Sequence, residues 1–177
     1  MSKRDLKKYL TALTKEQLEE QLVELYEKFS PVKVYYDFVF NPKEDKLLQE
    51  AKVKISHEYF PVKKPNARWR PKAKMRRSVA QKIIKHFISL GVDSFIIADL
   101  MLYNIEIAQT YSSNNFIKQE LFYKSIFNSF EQAVIFLISS GIFHEFKARV
   151  QAIYQETLQQ KWKNRYDFEA ILDKTEI

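Results

Sequence analysis

Apolar residues recur every three or four positions along most of this chain, the repeat of one face of an α-helix. Ser2 is placed to cap a short helix over Lys3 to Ala12, with Leu6, Tyr9, Leu10 and Leu13 on one side. Thr14 followed by Lys15-Glu16-Gln17 is a capping-box pattern, in which the Thr14 and Gln17 side chains satisfy each other's end donors. The helix beyond it sets Leu18, Leu22, Leu25 and Phe29 on one stripe and Glu16, Glu19, Glu20, Glu24 and Glu27 elsewhere. That stripe reads most simply as core, and otherwise as a docking or dimer seam. Pro31 restarts the chain. The apolar, aromatic run 32–40 fits either a buried helix or a short strand. After Asn41-Pro42, helical spacing resumes through Leu47, Leu48, Ala51, Ile55 and Tyr59, up to Pro61.

The segment 62–75 has no apolar period, contains Pro65 and Pro71, and reads as a loop or arm. Arg76 or Ser78 opens the next helix. Its apolar face is Val79, Ala80, Ile83, Ile84, Phe87 and Ile88, its polar face Arg77, Gln81, Lys82, Lys85, His86 and Ser89, and its stop Gly91. Asp93 caps a helix to about Thr110 that is apolar nearly all round, the mark of a central element. A further helix from Phe116 ends at Gly141, and a last one, from His144 to about Lys163, shows Phe146, Val150, Ile153, Tyr154, Leu158 and Trp162 on one face. No fixed period recurs between segments. The expectation is an all-α, single globular helical bundle of about seven or eight helices built around 93–111 and 116–141. Residues 1–177 form one helical domain in this reading, with an N-terminal helical hairpin at 1–30, an exposed basic loop at 62–77 and the main core helices at 78–163.

Composition agrees with helices. The 177 residues are 46% hydrophobic and 15% aromatic, enough for a substantial core, and 2 Gly and 5 Pro leave few of the turn positions a hairpin-rich β fold needs. With no Cys, disulfides, thiolate metal sites, Fe–S clusters and a Cys nucleophile are excluded. The start, Met1 to Lys8, alternates charge where a signal peptide has an apolar core. The uncharged run from Ala133 to Phe143 is shorter than the roughly 20 residues that span a bilayer. A cytoplasmic protein without a membrane partner is expected.

Charge changes the picture more. Between Tyr59 and Val92 there is no acidic residue, and ten Lys and Arg fall between Lys63 and Lys85. The chain has 29 basic and 22 acidic residues, so outside this window acids outnumber bases and the window alone produces the net charge of +7. A concentrated positive field is a statement about partners, phosphates or carboxylates, and not about reaction chemistry. Lys63, Lys64, Arg68, Arg70, Lys72, Lys74, Arg76 and Arg77 are candidate phosphate contacts, and Trp69, between two arginines, is a candidate stacking platform for a base. Lys82 and Lys85 continue the surface onto a helix face. The same arm is equally suited to an acidic protein or to the chain's own acidic helix at Glu16–Glu27. An anionic membrane fits less well, because the apolar face of the basic helix is needed by the core.

Catalytic motifs are missing. His57, His86 and His144 occur in neither Glu-x-x-His nor His-Glu-x-x-His spacing, so no metal site and no cofactor is expected. Gly91 and Gly141 cannot build a glycine-rich phosphate loop, and there is no Gly-x-Ser-x-Gly elbow. Asp99, Glu106 and Glu131 are carboxylates among large apolar neighbours, and Asp99, Tyr103, Glu106 and Thr110 share one narrow helical sector. They define a candidate polar pocket with carboxylates of raised pKa, or else structural partners for Lys or Arg.

Ser2-Lys3-Arg4-Asp5-Leu6-Lys7-Lys8-Tyr9-Leu10 and Leu13-Thr14-Lys15-Glu16-Gln17-Leu18 resemble the opening of a family of small uncharacterised bacterial proteins, a domain of unknown function. Phe38-Val39-Phe40-Asn41-Pro42-Lys43-Glu44, Arg70-Pro71-Lys72 and Ala80-Gln81-Lys82-Ile83-Ile84-Lys85-His86-Phe87 are similar to it as well. The resemblance covers most of the first 110 residues. It implies a bacterial, cytoplasmic, single-domain protein and assigns no activity, cofactor or site. Residues and resemblance together lead to a non-enzymatic protein that binds nucleic acid without sequence preference through a basic arm. The alternatives are an interaction or scaffold module for an acidic partner, and an enzyme using Asp99, Glu106 or Glu131.

Overall fold

The computed structural model describes residues 2–63, 65–66, 68–69 and 71–174. Among them the regular structure is all helical, with nine α-helices: α1 Lys3–Thr11, α2 Lys15–Lys28, α3 Ser30–Phe40, α4 Glu44–Tyr59, α5 Arg77–Leu90, α6 Ser94–Asn114, α7 Glu120–Ser139, α8 Phe143–Gln159 and α9 Arg165–Asp173. The all-α bundle is as expected; the helix count is slightly higher. The chain divides into two compact units, residues 1–43 and 44–177.

In the first unit the local signals act as read. Ser2 and Asp5 form a reciprocal capping box, as do Thr14 and Gln17. The run 32–40 is a helix, opened by a Pro in its first turn. It is not buried, and neither is the Leu18/Leu22/Leu25/Phe29 stripe; none of the three helices contains a buried residue. The core assignment of that stripe is therefore corrected. Two hydrogen bonds link the helices here: Gln21 Nε2 donates to Tyr9 Oη at 2.6 Å, and Tyr26 Oη to Asp37 Oδ1 at 2.7 Å.

The second unit is organised by α6, which packs against α4, α5, α7 and α8. Its near-uniform apolarity demands such a place: Leu100, Leu102, Ile105 and Ala108 are completely buried. Asp93 caps it, accepting from Phe95 N at 2.8 Å, while Asp93 N donates to Glu44 Oε1 at 3.0 Å and ties the start of α4 to the start of α6. α7 begins at Glu120 rather than Phe116, leaving Phe116 89% exposed. No helix among the described residues is long and apolar enough to cross a membrane.

Three helices end in the same way. Val92 N reaches Phe87 O, Ile142 N reaches Leu137 O, and Trp162 N reaches Thr157 O, each five residues back, across a residue of positive φ. At the first two that residue is Gly91 or Gly141, the stops read from the sequence; at the third it is Lys161, with φ 54°. This stop is invisible in composition: it ends α8 at Gln159, short of Lys163, and the turn leads into α9, which lies beyond the last helix read from the sequence. Phe168 of α9 is fully buried against Phe130, Phe127 and Trp162, with ring centroids 4.8, 5.4 and 6.0 Å away. Aromatic packing of this kind, with little polar compensation needed, holds α9 on α7 and α8.

Candidate functional site

The basic arm leaves the bundle after Tyr59 and returns at Arg77. Its departure is fixed by aromatic packing: Tyr59 is buried, and the Tyr59 and Phe60 rings lie 5.9 and 5.6 Å from the Tyr111 ring on α6. Its return is fixed by one residue, Glu58, the last carboxylate before the acid-free window. The Glu58 carbonyl accepts from both Lys74 N and Met75 N, at 2.9 and 3.0 Å. Met75, the second of these donors, takes φ 50°, a conformation disfavoured for a residue with Cβ. The Glu58 carboxylate then takes Arg76 as a fork, Nε at 2.9 Å and Nη2 at 2.7 Å, with Arg76 N at 3.3 Å. These hydrogen bonds from Arg76 hold the Glu58 carboxyl below its ordinary pKa, against the opposing pull of burial.

Between these roots the described arm residues face solvent. Lys63, Arg68, Lys72 and Lys74 are exposed, Trp69 is 76% exposed, and the Arg68 guanidinium lies 5.6 Å from the Trp69 ring centroid. Lys63, Arg68 and Lys72 have no carboxylate partner among the described residues. Lys82 and Lys85 stand exposed on α5 beyond the return. Lys64 and Arg70 lie outside the described residues.

Two of the anticipated contacts are engaged elsewhere. Arg76 belongs to the Glu58 clamp. Arg77 turns toward α7, where its Nε donates to Ser129 Oγ at 3.0 Å, and burial lowers its pKa. Both side chains thus have partners within the chain, and their identity as Arg says nothing about which way they point.

Asp99 and Glu106 come together as their shared helical sector requires, but around a cation. Arg149 of α8 donates Nε and Nη2 to the two Glu106 oxygens at 2.6 and 2.8 Å, and Nη1 to Asp99 Oδ1 at 2.6 Å. Lys52 of α4 reaches Asp99 Oδ2 at 2.6 Å and lies 5.3 Å from the centre of the Tyr103 ring. Burial pushes the Asp99 pKa up, yet hydrogen bonds from Lys52 and Arg149 outweigh it and the net displacement is downward. Arg149 is held charged, first by its hydrogen bonds to Glu106. A carboxylate with lowered pKa is a poor proton carrier near neutral pH, so at Asp99 the expected raised pKa is replaced by its opposite. Glu131, half-buried on α7, shares none of these partners. No local pattern marks Lys52 or Arg149 as partners, because both come from helices remote in the chain.

His57, His86 and His144 are all exposed. Among the described residues no three His, Cys, Asp or Glu side chains are grouped to hold a metal ion. A surface groove of about 720 Å³ runs beside the α6–α7 connection, past Phe116, Lys118, Tyr123 and Gln160. Gln160 is occupied there, accepting from Ser112 Oγ and Trp162 Nε1 at 2.6 and 2.9 Å and donating to Gln109 O at 3.0 Å.

No curated protein and no solved structure matches the chain. One family model does, described as a family of unknown function, DUF6155, and it matches residues 1–176. The match reaches past the first 110 residues, where the resemblance in sequence was plainest, and takes in α6 to α9. The chain belongs to this family of unknown function.

Proposed function

We propose that the protein is a non-enzymatic binding protein that engages nucleic acid, without sequence preference, through the arm between α4 and α5. The observation that carries this reading is the exposed Arg68–Trp69 pair on an arm rooted at both ends. An exposed indole beside a guanidinium offers a stacking face and a phosphate contact at the same place. Lys63 and Lys72, with Lys82 and Lys85 on α5, extend the positive surface along the arm and onto a rigid helix. The fixed root reduces the ordering needed on binding, because the Glu58 clamp already closes the loop. Following the family resemblance, this activity belongs in a bacterial cytoplasm. An acidic protein partner is the second reading, favoured by the same unpaired cations but giving Trp69 no particular role.

Fluorescence anisotropy with mixed-sequence single- and double-stranded DNA and RNA, over a salt series, tests the proposal. Binding should weaken with salt, with a log–log slope of about −0.7 to −0.9 per phosphate contact. Lys63→Glu/Arg68→Glu/Lys72→Glu should abolish it. Trp69→Ala should weaken single-strand binding by about 1–3 kcal/mol for one lost stacked base. No binding at low salt, or equal binding by the triple variant, overturns it.

A further inference from the structure

The first unit is incomplete by itself. Its three helices bury no residue, and eleven large apolar side chains between Leu6 and Phe40 are exposed, Phe40 by 80%. Helices this short are marginal in water without tertiary cover, and an apolar surface of that extent marks an interaction site.

Charge says what the cover is. α1 carries Lys3, Arg4, Lys7 and Lys8 against Asp5 alone, and Asp5 is spent on its capping box with Ser2. α2 carries Glu16, Glu19, Glu20, Glu24 and Glu27 against Lys15 and Lys28. Lys15 pairs with Glu19 and Lys28 with Glu24, both within α2. Among the described residues this leaves all four α1 cations without a carboxylate, and Glu16, Glu20 and Glu27 without a cation. The complementarity of the two helices is thus not consumed within the unit. Alongside α2 lies an open groove of about 560 Å³, with Tyr9, Leu13 and Val23 as its apolar part and Glu20, Glu24 and Glu27 as its acidic part. Its complement is a short helix with an apolar side and several cations, which is a description of α1.

We propose that α1 and α2 form a self-complementary docking surface for a second copy of this chain, the basic α1 of each copy lying along the acidic α2 groove of the other. A two-fold axis makes the contact twice, so the opposite charges and the apolar residues lining the groove are matched in one closed, isologous pair. The inference does not depend on nucleic-acid binding, since the arm contributes no residue to it.

Sedimentation of the full chain from low to high micromolar concentration at low salt should show a monomer–dimer equilibrium. Reversing α1 (Arg4→Glu/Lys7→Glu/Lys8→Glu) or α2 (Glu20→Lys/Glu24→Lys/Glu27→Lys) should each weaken self-association by at least about tenfold. The two reversed variants, each unable to pair with itself, should form a mixed dimer when combined, because α1 of one then matches α2 of the other. That rescue separates intermolecular pairing from simple loss of the helices, which circular dichroism reads independently. A parent chain that stays monomeric throughout, reversed variants that dimerise as the parent does, or a mixture that stays monomeric overturns the proposal.

Discussion

Arg149→Met tests the ion cluster in which Asp99 and Glu106 act as structural partners for Lys52 and Arg149, the alternative to a polar pocket. The substitution keeps most of the aliphatic stem and removes the fork to Glu106 and the bond to Asp99. Asp99 retains Lys52 at 2.6 Å, so it is not orphaned; Glu106 is. The Arg149, Asp99 and Glu106 side chains are 29%, 25% and 35% exposed, between the surface and interior cases. Breaking a fully buried pair costs about 3–5 kcal/mol and a surface pair about 0–1, so a loss of about 2 kcal/mol is expected at pH 7. The pH dependence carries the sign. The Asp99 pKa is lowered in the folded protein, so its contribution is present above the unfolded carboxyl pKa, about 3.9. It is lost as pH falls through the lower folded value. With Arg149 gone the displacement shrinks, so the gap between parent and variant should be widest near neutrality and close progressively below about pH 4. Urea unfolding followed by Trp162 fluorescence reads this in a Trp69→Phe background, since Trp162 is buried in the second unit and the chain has only 2 Trp. A difference below about 0.5 kcal/mol at pH 7, within the range of ordinary surface changes, or a gap that does not vary with pH, refutes the reasoning.

Two further perturbations address the arm root and the last helix. Glu58→Ala removes the acceptor of the Arg76 fork, and should cost about 1–2 kcal/mol while accelerating tryptic cleavage within 63–74 severalfold; unchanged cleavage would show that the backbone bonds to the Glu58 carbonyl hold the root alone. Phe168→Ala empties a site against Phe130, Phe127 and Trp162, so a loss of about 3–5 kcal/mol and a red-shifted Trp162 emission are expected; a loss under about 1 kcal/mol would mean α9 is not part of the core.

Signals that act within one helical turn were legible in the sequence. The Ser2 cap, the Thr14 capping box, the Asp93 cap and the glycine stops at Gly91 and Gly141 stand where they were read, because each is a bond between residues a few positions apart. The uniform apolarity of α6 placed it at the centre for a similarly direct reason: such a surface has to be covered on all sides. The stop at Lys161 was illegible, since lysine has no intrinsic preference for positive φ and takes it only because the turn into α9 is held by Trp162 and Phe168. Apolar spacing likewise marked the α2 stripe as a surface to be covered without saying by what.

The sequence by itself determined most of the helices, several of their ends, and the concentration of positive charge between Tyr59 and Val92. Tertiary structure alone decided what the charges meet. Arg76 and Arg77 became anchors while Arg68 and Lys72 stayed in solvent, and Asp99 and Glu106 closed on Arg149. The physical reason is range: a cap or a stop is settled by neighbours within one turn, whereas an ion pair is settled by which distant helix arrives within hydrogen-bonding distance.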